Sequence, residues 1–279
     1  MFFIGRFFDR RKVWKLLPDY PVYTPPHKGG WEKKDWMTKE QAQENYEFFL
    51  AEKDKRIGYL AEFMGKFGAK VELTDEGLVA VSQWMYRYGA YLEDTKQYRR
   101  KSVRAFATNN LLWTGDIAGL NIIFDVSTFC GECIVQYNQG ARWMLFTGKS
   151  TKRNHETWGF NKPWVVGSNL WPGNGIPTYD VYPPSYIHEL VQDRWSMVCD
   201  GCSGPSSWHD PLSLARHIRY HAGNDPERLH PEWPLGFSGP HCAFGKIPPP
   251  PDQIEALKRL DQVSRLKRLD EEQNYIQQE

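Results

Sequence analysis

Apolar residues recur at helical spacing in three long stretches of this chain. The first is predicted to begin at Thr38, whose hydroxyl can cap a helix while Gln41 reaches back, and to run to about Gly65. Tyr46, Phe49, Ile57, Leu60, Phe63 and Met64 would face a core, and Lys53, Asp54, Lys55 and Arg56 read as a solvated run. The second starts at Thr74, with Leu73 and Leu78 placed as a hydrophobic staple and Leu78, Val81, Met85, Tyr88 and Leu92 repeating at helical spacing. The third, Asp116 to Tyr137, is apolar nearly throughout and reads as a buried helix. Its stripe of Ile123, Val126, Cys130, Cys133 and Tyr137 makes both cysteines of the first CxxC pair small core residues.

Two short apolar runs, 141–146 and 162–167, predict an antiparallel strand pair. The polar loop between them carries Lys149, Lys152, Arg153 and His155. Residues 1–36 mix aromatics with Pro18, Pro21, Pro25, Pro26, Gly29 and Gly30, which predicts an irregular arm over the core. Within it, Phe3/Phe7 and Ile4/Phe8 are spaced for a short helix, although aromatic pairs at that spacing are more simply read as docking against the core. After a Gly-, Pro- and Trp-rich loop at 168–184, residues 185–195 suit another short helix. There His188 and Glu189, as sequence neighbours, would point apart rather than act as a pair. Residues 231–251 form a Pro/Gly-rich spacer. The apolar residues of 252–279 recur every third position, a stripe that circles a helix instead of making a coiled-coil seam.

These elements predict an α+β fold with a mainly helical core and a small antiparallel sheet. The expected organisation is an arm at 1–36, a globular domain at 37–195, a zinc-finger-like module at 196–226, a linker at 227–251 and a charged helix at 252–279. Hydrophobic residues make up 41% and aromatics 15% of the chain, with 12 Trp, enough to build a packed core. A net charge of +1 gives no overall field toward nucleic acid or an anionic membrane, so partners must be met by local patches. The most basic short run is 97–104, where Arg99, Arg100 and Lys101 are candidate phosphate contacts, although a solvated helix face explains the same charges. The 5 cysteines, an odd number with two CxxC pairs, fit a reducing compartment and metal binding better than a disulfide framework. The N-terminal apolar run is interrupted by Arg6 and has neither a signal-peptide core nor the length of a membrane span, so a cytoplasmic location is expected.

Candidate chemistry concentrates at Cys199 and Cys202, followed after 14 residues by His217 and, four further on, His221. Two cysteines on a knuckle and two histidines on one helical face supply four tetrahedral ligands for zinc. The segment 197–226 resembles the zinc fingers with two Cys and two His, which have a linker of about twelve residues between the ligand pairs. Leu214 and Arg219 stand where that family carries a Leu and an Arg, whereas Trp208 comes two places later than the usual aromatic, matching an insertion at the turn. His230, His241 and Cys242 are possible substitute ligands, and a site built from Cys130, Cys133, Cys199 and Cys202 is an alternative that would idle the histidines. A second, fainter likeness spans 74–195. A Gly-Glu-containing helix followed by Gly-Ala-x-Trp and a strand looks like a module of uncharacterised bacterial proteins, some of toxin-immunity type.

Three functions compete. A DNA-reading finger would place Asp210, Ser213 and Arg216 at the base-contacting positions. Between Trp195 and Pro226, however, Arg216 and Arg219 face three aspartates, a poor balance for phosphate neutralisation. A zinc hydrolase would need an open coordination position, with His209 or Glu227 as base, and the chain carries no phosphate-binding Gly-rich loop, nucleophile elbow or HExxH pattern. The remaining reading is a non-enzymatic protein with a closed zinc site that binds another macromolecule, most readily a protein, through the loop 149–155 or the C-terminal helix.

Overall fold

The computed structural model describes residues 2–29, 32–93, 105–106, 112–147, 160–167, 183–184, 187–188, 190–191 and 211–222. The chain divides into Met1–Asn224 and Asp225–Glu279, and every described residue lies in the first unit. Its described elements are α1 (Phe2–Leu16), α2 (Lys39–Gly65), α3 (Asp75–Tyr88), α4 (Gly119–Tyr137), β1 (Arg142–Phe146), β2 (Lys162–Val166) and α5 (Ser213–His221). The fold is α+β, mainly helical with a two-stranded antiparallel sheet.

The start of the chain corrects the expectation of an irregular arm, because α1 is a four-turn helix. It is held by contacts no local pattern reveals. Asp9 accepts two bonds from Arg87 at 3.0 and 3.1 Å, Trp14 Nε1 donates to Tyr91 O at 2.9 Å, and Lys12 Nζ donates to Lys66 O at 2.8 Å. Only beyond Asp19 does the chain run irregularly, through Tyr20 and Tyr23, both buried.

The predicted caps are present. Thr38 Oγ1 accepts from Gln41 N at 3.2 Å while Gln41 Oε1 accepts from Thr38 N at 3.0 Å, so two amides at the start of α2 are satisfied reciprocally. Thr74 caps α3 by accepting from Gly77 N at 3.1 Å. A side chain at position 77 would run into the Glu72 backbone, so the tight entry to α3 needs glycine there.

The centre of the fold is α4, which packs against α2, α3, α5 and both strands. The helical segment Gly115–Tyr137 is long and apolar enough to cross a membrane by length and composition, yet 94% of its most apolar window is buried in the protein. Its buried Asn121, Asp125, Ser127 and Thr128 side chains are all bonded. Asn121 bridges the Tyr23 amide to the Trp113 and Ala118 carbonyls, and Ser127 and Thr128 donate to the carbonyls one turn back.

The strands pair with Phe146 opposite Lys162 and Arg142 opposite Val166. Asn161, in the left-handed region at φ 58°, sends its amide to Phe146 O at 2.9 Å and closes the ladder. The Gly-Glu and Gly-Ala-x-Trp pattern has a packing explanation. The Trp143 ring lies directly on Gly131, where a methyl would overlap it, and Trp143 Nε1 donates to Glu132 Oε1 at 2.5 Å. Lys53 completes the group, with Nζ 3.0 Å from Glu132 Oε2.

Candidate functional site

Three polar groupings inside this framework bear on function. The first corrects the reading of residues 53–56 as a solvated run. Arg56 is only 3% exposed. Its Nε and Nη2 donate to the two oxygens of Asp125 on α4 at 2.8 and 2.7 Å, and Nη1 donates to Pro21 O at 2.8 Å. Tyr20 adds a hydroxyl bond to Asp125 Oδ2 at 2.6 Å. The cluster joins three segments, residues 20–21, α2 and α4, so its effect is to clamp the N-terminal stretch and α2 onto α4. Burial pushes the Asp125 carboxyl up to about 6, against the opposing pull of Arg56 and of the Tyr20 bond. A forked, fully bonded pair of this kind suits positioning more than chemistry.

The second grouping is His188 with Glu93, whose Nε2 and Oε1 lie 2.7 Å apart in the interior. The Phe106 ring meets the His188 ring edge-on at 5.9 Å. Thus His188 does find a carboxylate, and it is one distant in sequence.

The third is a cavity of about 30 Å3 between α2, α4 and the sheet. Tyr23, Phe49, Phe106, Trp113, Phe124 and Trp143 give it an aromatic wall. These rings pack on one another, with Tyr23 stacked on Phe124 at 4.2 Å and Trp113 against Phe106 at 4.9 Å, so the wall is stiff. Into this apolar space project Asn161, from the turn that enters β2, and Lys162, the first residue of β2. Lys162 is 6% exposed, and among the described residues neither its Nζ nor Asn161 Oδ1 has a hydrogen-bond partner. Burial pushes the Lys162 amine down to about 7. The sequence gives little warning of this. A lysine between Asn161 and Pro163 looks like ordinary turn chemistry, and its burial comes from the aromatic wall supplied by remote segments.

The predicted metal ligands are only partly placed. His217 and His221 lie four apart on α5, as the finger requires, while Cys199 and Cys202 fall outside the described residues, as do the substitutes His230, His241 and Cys242. Among the described residues, no group of three or more His, Cys, Asp or Glu is placed to hold a metal ion. Helix α5 packs against α3 and α4. Leu214, Ala215 and Ile218 are at most 2% exposed, and Ser82 Oγ anchors its start by donating to Pro211 O at 2.7 Å and accepting from Ala215 N at 3.2 Å. Arg219 pairs with Asp75, its guanidinium 3.9 Å over the Tyr137 ring. Arg216 is buried as well, so a base contact from it would require α5 to leave its seat.

Arg99, Arg100 and Lys101, the loop 149–155, and the segment 252–279 lie outside the described residues. Cys130 and Cys133 are in the core of α4, and burial pushes both thiols up, away from the thiolate form that binds metal. Comparison with protein-family models, with curated proteins and with solved structures finds no match.

Proposed function

We propose that this chain is a cytoplasmic, non-enzymatic zinc protein that binds another macromolecule, a protein of the immunity or regulatory kind. Zinc is held by Cys199, Cys202, His217 and His221, a closed set of four ligands whose work is structural. The observation that supports this reading is the seat of α5. A helix that would enter a DNA groove must present its outer face, whereas α5 has Arg216 and Arg219 buried along with Leu214 and Ile218. A metal joining its two histidines to the cysteine knuckle would therefore tie the preceding segment to the core.

Zinc per chain, measured by elemental analysis in the wild type, Cys199→Ser and His217→Ala, tests the metal. About one zinc in the wild type, lost in both variants, is expected; a metal-free wild type that folds normally would end the zinc reading. The macromolecule is tested by affinity capture from cells that naturally express the chain. A single protein co-eluting at fixed stoichiometry is expected, and salt-sensitive retention of nucleic acid in its place would overturn the protein reading.

A further inference from the structure

We propose that Lys162 is a covalent capture site for small carbonyl compounds, its amine condensing with an aldehyde inside the aromatic cavity. This site does not involve zinc, and it stands or falls separately from the function above.

A buried amine without a partner is costly, and an apolar side chain would fill this space with less penalty. The cavity has room for about two water-sized groups, enough for the carbon skeleton of the smallest aldehydes, and none of its described lining residues is acidic, so no counter-ion holds the amine as an ammonium. The hydrogen-bonding inventory of the wall decides which ligand suits it. Ser127 and Thr128 spend their hydroxyl protons on helix carbonyls, Asn45 Nδ2 donates to His27 O, and Trp143 Nε1 donates to Glu132. Among the described lining residues, the buried polar atoms left without a partner are Lys162 Nζ, Asn161 Oδ1 and Trp113 Nε1. One amine, one acceptor and one N–H do not solvate a carboxylate or phosphate, which needs several donors. They do suit a neutral carbonyl, whose oxygen needs one donor and whose carbon needs a nucleophile.

The depressed proton affinity of Lys162 supports the same chemistry, because it leaves a large share of the amine neutral near pH 7. The amine lone pair attacks the carbonyl carbon, the C=O π pair moves to oxygen, and an amine proton transfers to that oxygen to give a carbinolamine. The C–O bond then breaks and the oxygen leaves as water with the second amine proton, forming C=N. The sum is amine plus aldehyde giving imine plus water, with no change of oxidation state. Asn161 Oδ1, on the adjacent residue, can accept a bond from the carbinolamine hydroxyl.

The full chain is incubated with limiting acetaldehyde and cyanoborohydride at neutral pH, and ethylated lysines are mapped by peptide mass spectrometry. Lys162 is expected to react at least about tenfold faster than the exposed lysines Lys34 and Lys70, which pair with Glu32 and Glu72 at the surface. Unfolding the chain in urea should abolish the preference. Labelling of Lys162 no faster than Lys34 and Lys70 in the folded chain, repeated with the smaller formaldehyde, would overturn the proposal. So would protection of Lys162 by acetate at concentrations that leave Lys34 and Lys70 unprotected, which would assign the cavity to an anion.

Discussion

Replacing Lys162 by Met should make the protein more stable, and the gain should fade as the pH rises. The amine ordinarily titrates at 10.5 and is pushed down to about 7 by burial. The folded chain therefore binds fewer protons than the unfolded chain between those values, so the wild type gains stability as pH increases across that window. At about 1.4 kcal/mol per pK unit, the penalty at neutral pH is roughly 4 kcal/mol, and it falls by about 2 kcal/mol between pH 7 and pH 9. Met has a similar length and no charge, so Lys162→Met removes the penalty without opening a void. Tyr20 and Tyr23, pushed up by burial, contribute in the opposite sense at higher pH, and comparing the two proteins cancels them. Urea unfolding of both at a series of pH values up to about 9 gives the two curves. They should converge as pH rises, with the variant higher at neutral pH. Parallel curves, or a variant less stable than the wild type at pH 7, would show that the amine is solvated or paired in the folded chain.

Arg56→Met leaves Asp125 buried without its cation and should cost about 3–5 kcal/mol at neutral pH, with Arg56→Met/Asp125→Leu recovering most of it. Since a carboxyl with a raised folded-state pKa favours folding in acid and loses that contribution as pH rises through its folded value, the single variant should suffer least near pH 4; a pH-independent loss would point to packing alone. Gly131→Ala should cost about 1–3 kcal/mol and shift tryptophan fluorescence by displacing Trp143. In contrast, Gly58→Ala, with open space around it in α2, should be neutral or stabilising by up to about 1 kcal/mol, and equal effects at the two sites would count against the ring contact. Thr38→Ala removes the hydroxyl half of the α2 cap and should lower unfolding free energy by about 1 kcal/mol, read by urea denaturation; no change would mean that water replaces the hydroxyl.

The elements that were legible in the sequence are those whose cause is local. The Thr38 and Thr74 caps, the apolar repeat of α3, the apolar length of α4 and the two short strands each carry their signal within one segment, and all are present. What failed was non-local. Arg56 sits in a run of charges that reads as solvated, and nothing near it announces that Asp125 will stand opposite in space. The helix α1 has no clean stripe of its own and is secured by Arg87, Tyr91 and Lys66. Lys162 becomes unusual only when rings from α2, α4 and two irregular segments close around it. The Gly131 and Trp143 pair lies between these cases, because the pattern was visible as a likeness while its reason, a ring occupying the space a side chain at 131 would need, is a contact between α4 and β1.

The apolar length of α4 also sets a problem in time. The helix leaves the ribosome after α2 and α3, which cover part of it, but before β1, β2 and α5, which cover the rest. At usual synthesis rates the interval between α4 and the end of α5 is roughly 5 to 15 s. For that interval a segment apolar enough for a bilayer has one bare flank. The early clamp from Arg56 and Tyr20 to Asp125 can form as soon as α4 emerges, since both partners precede it in the chain. That gives the nascent chain a polar reason to keep α4 against α2 rather than surrender it to a membrane or to another chain.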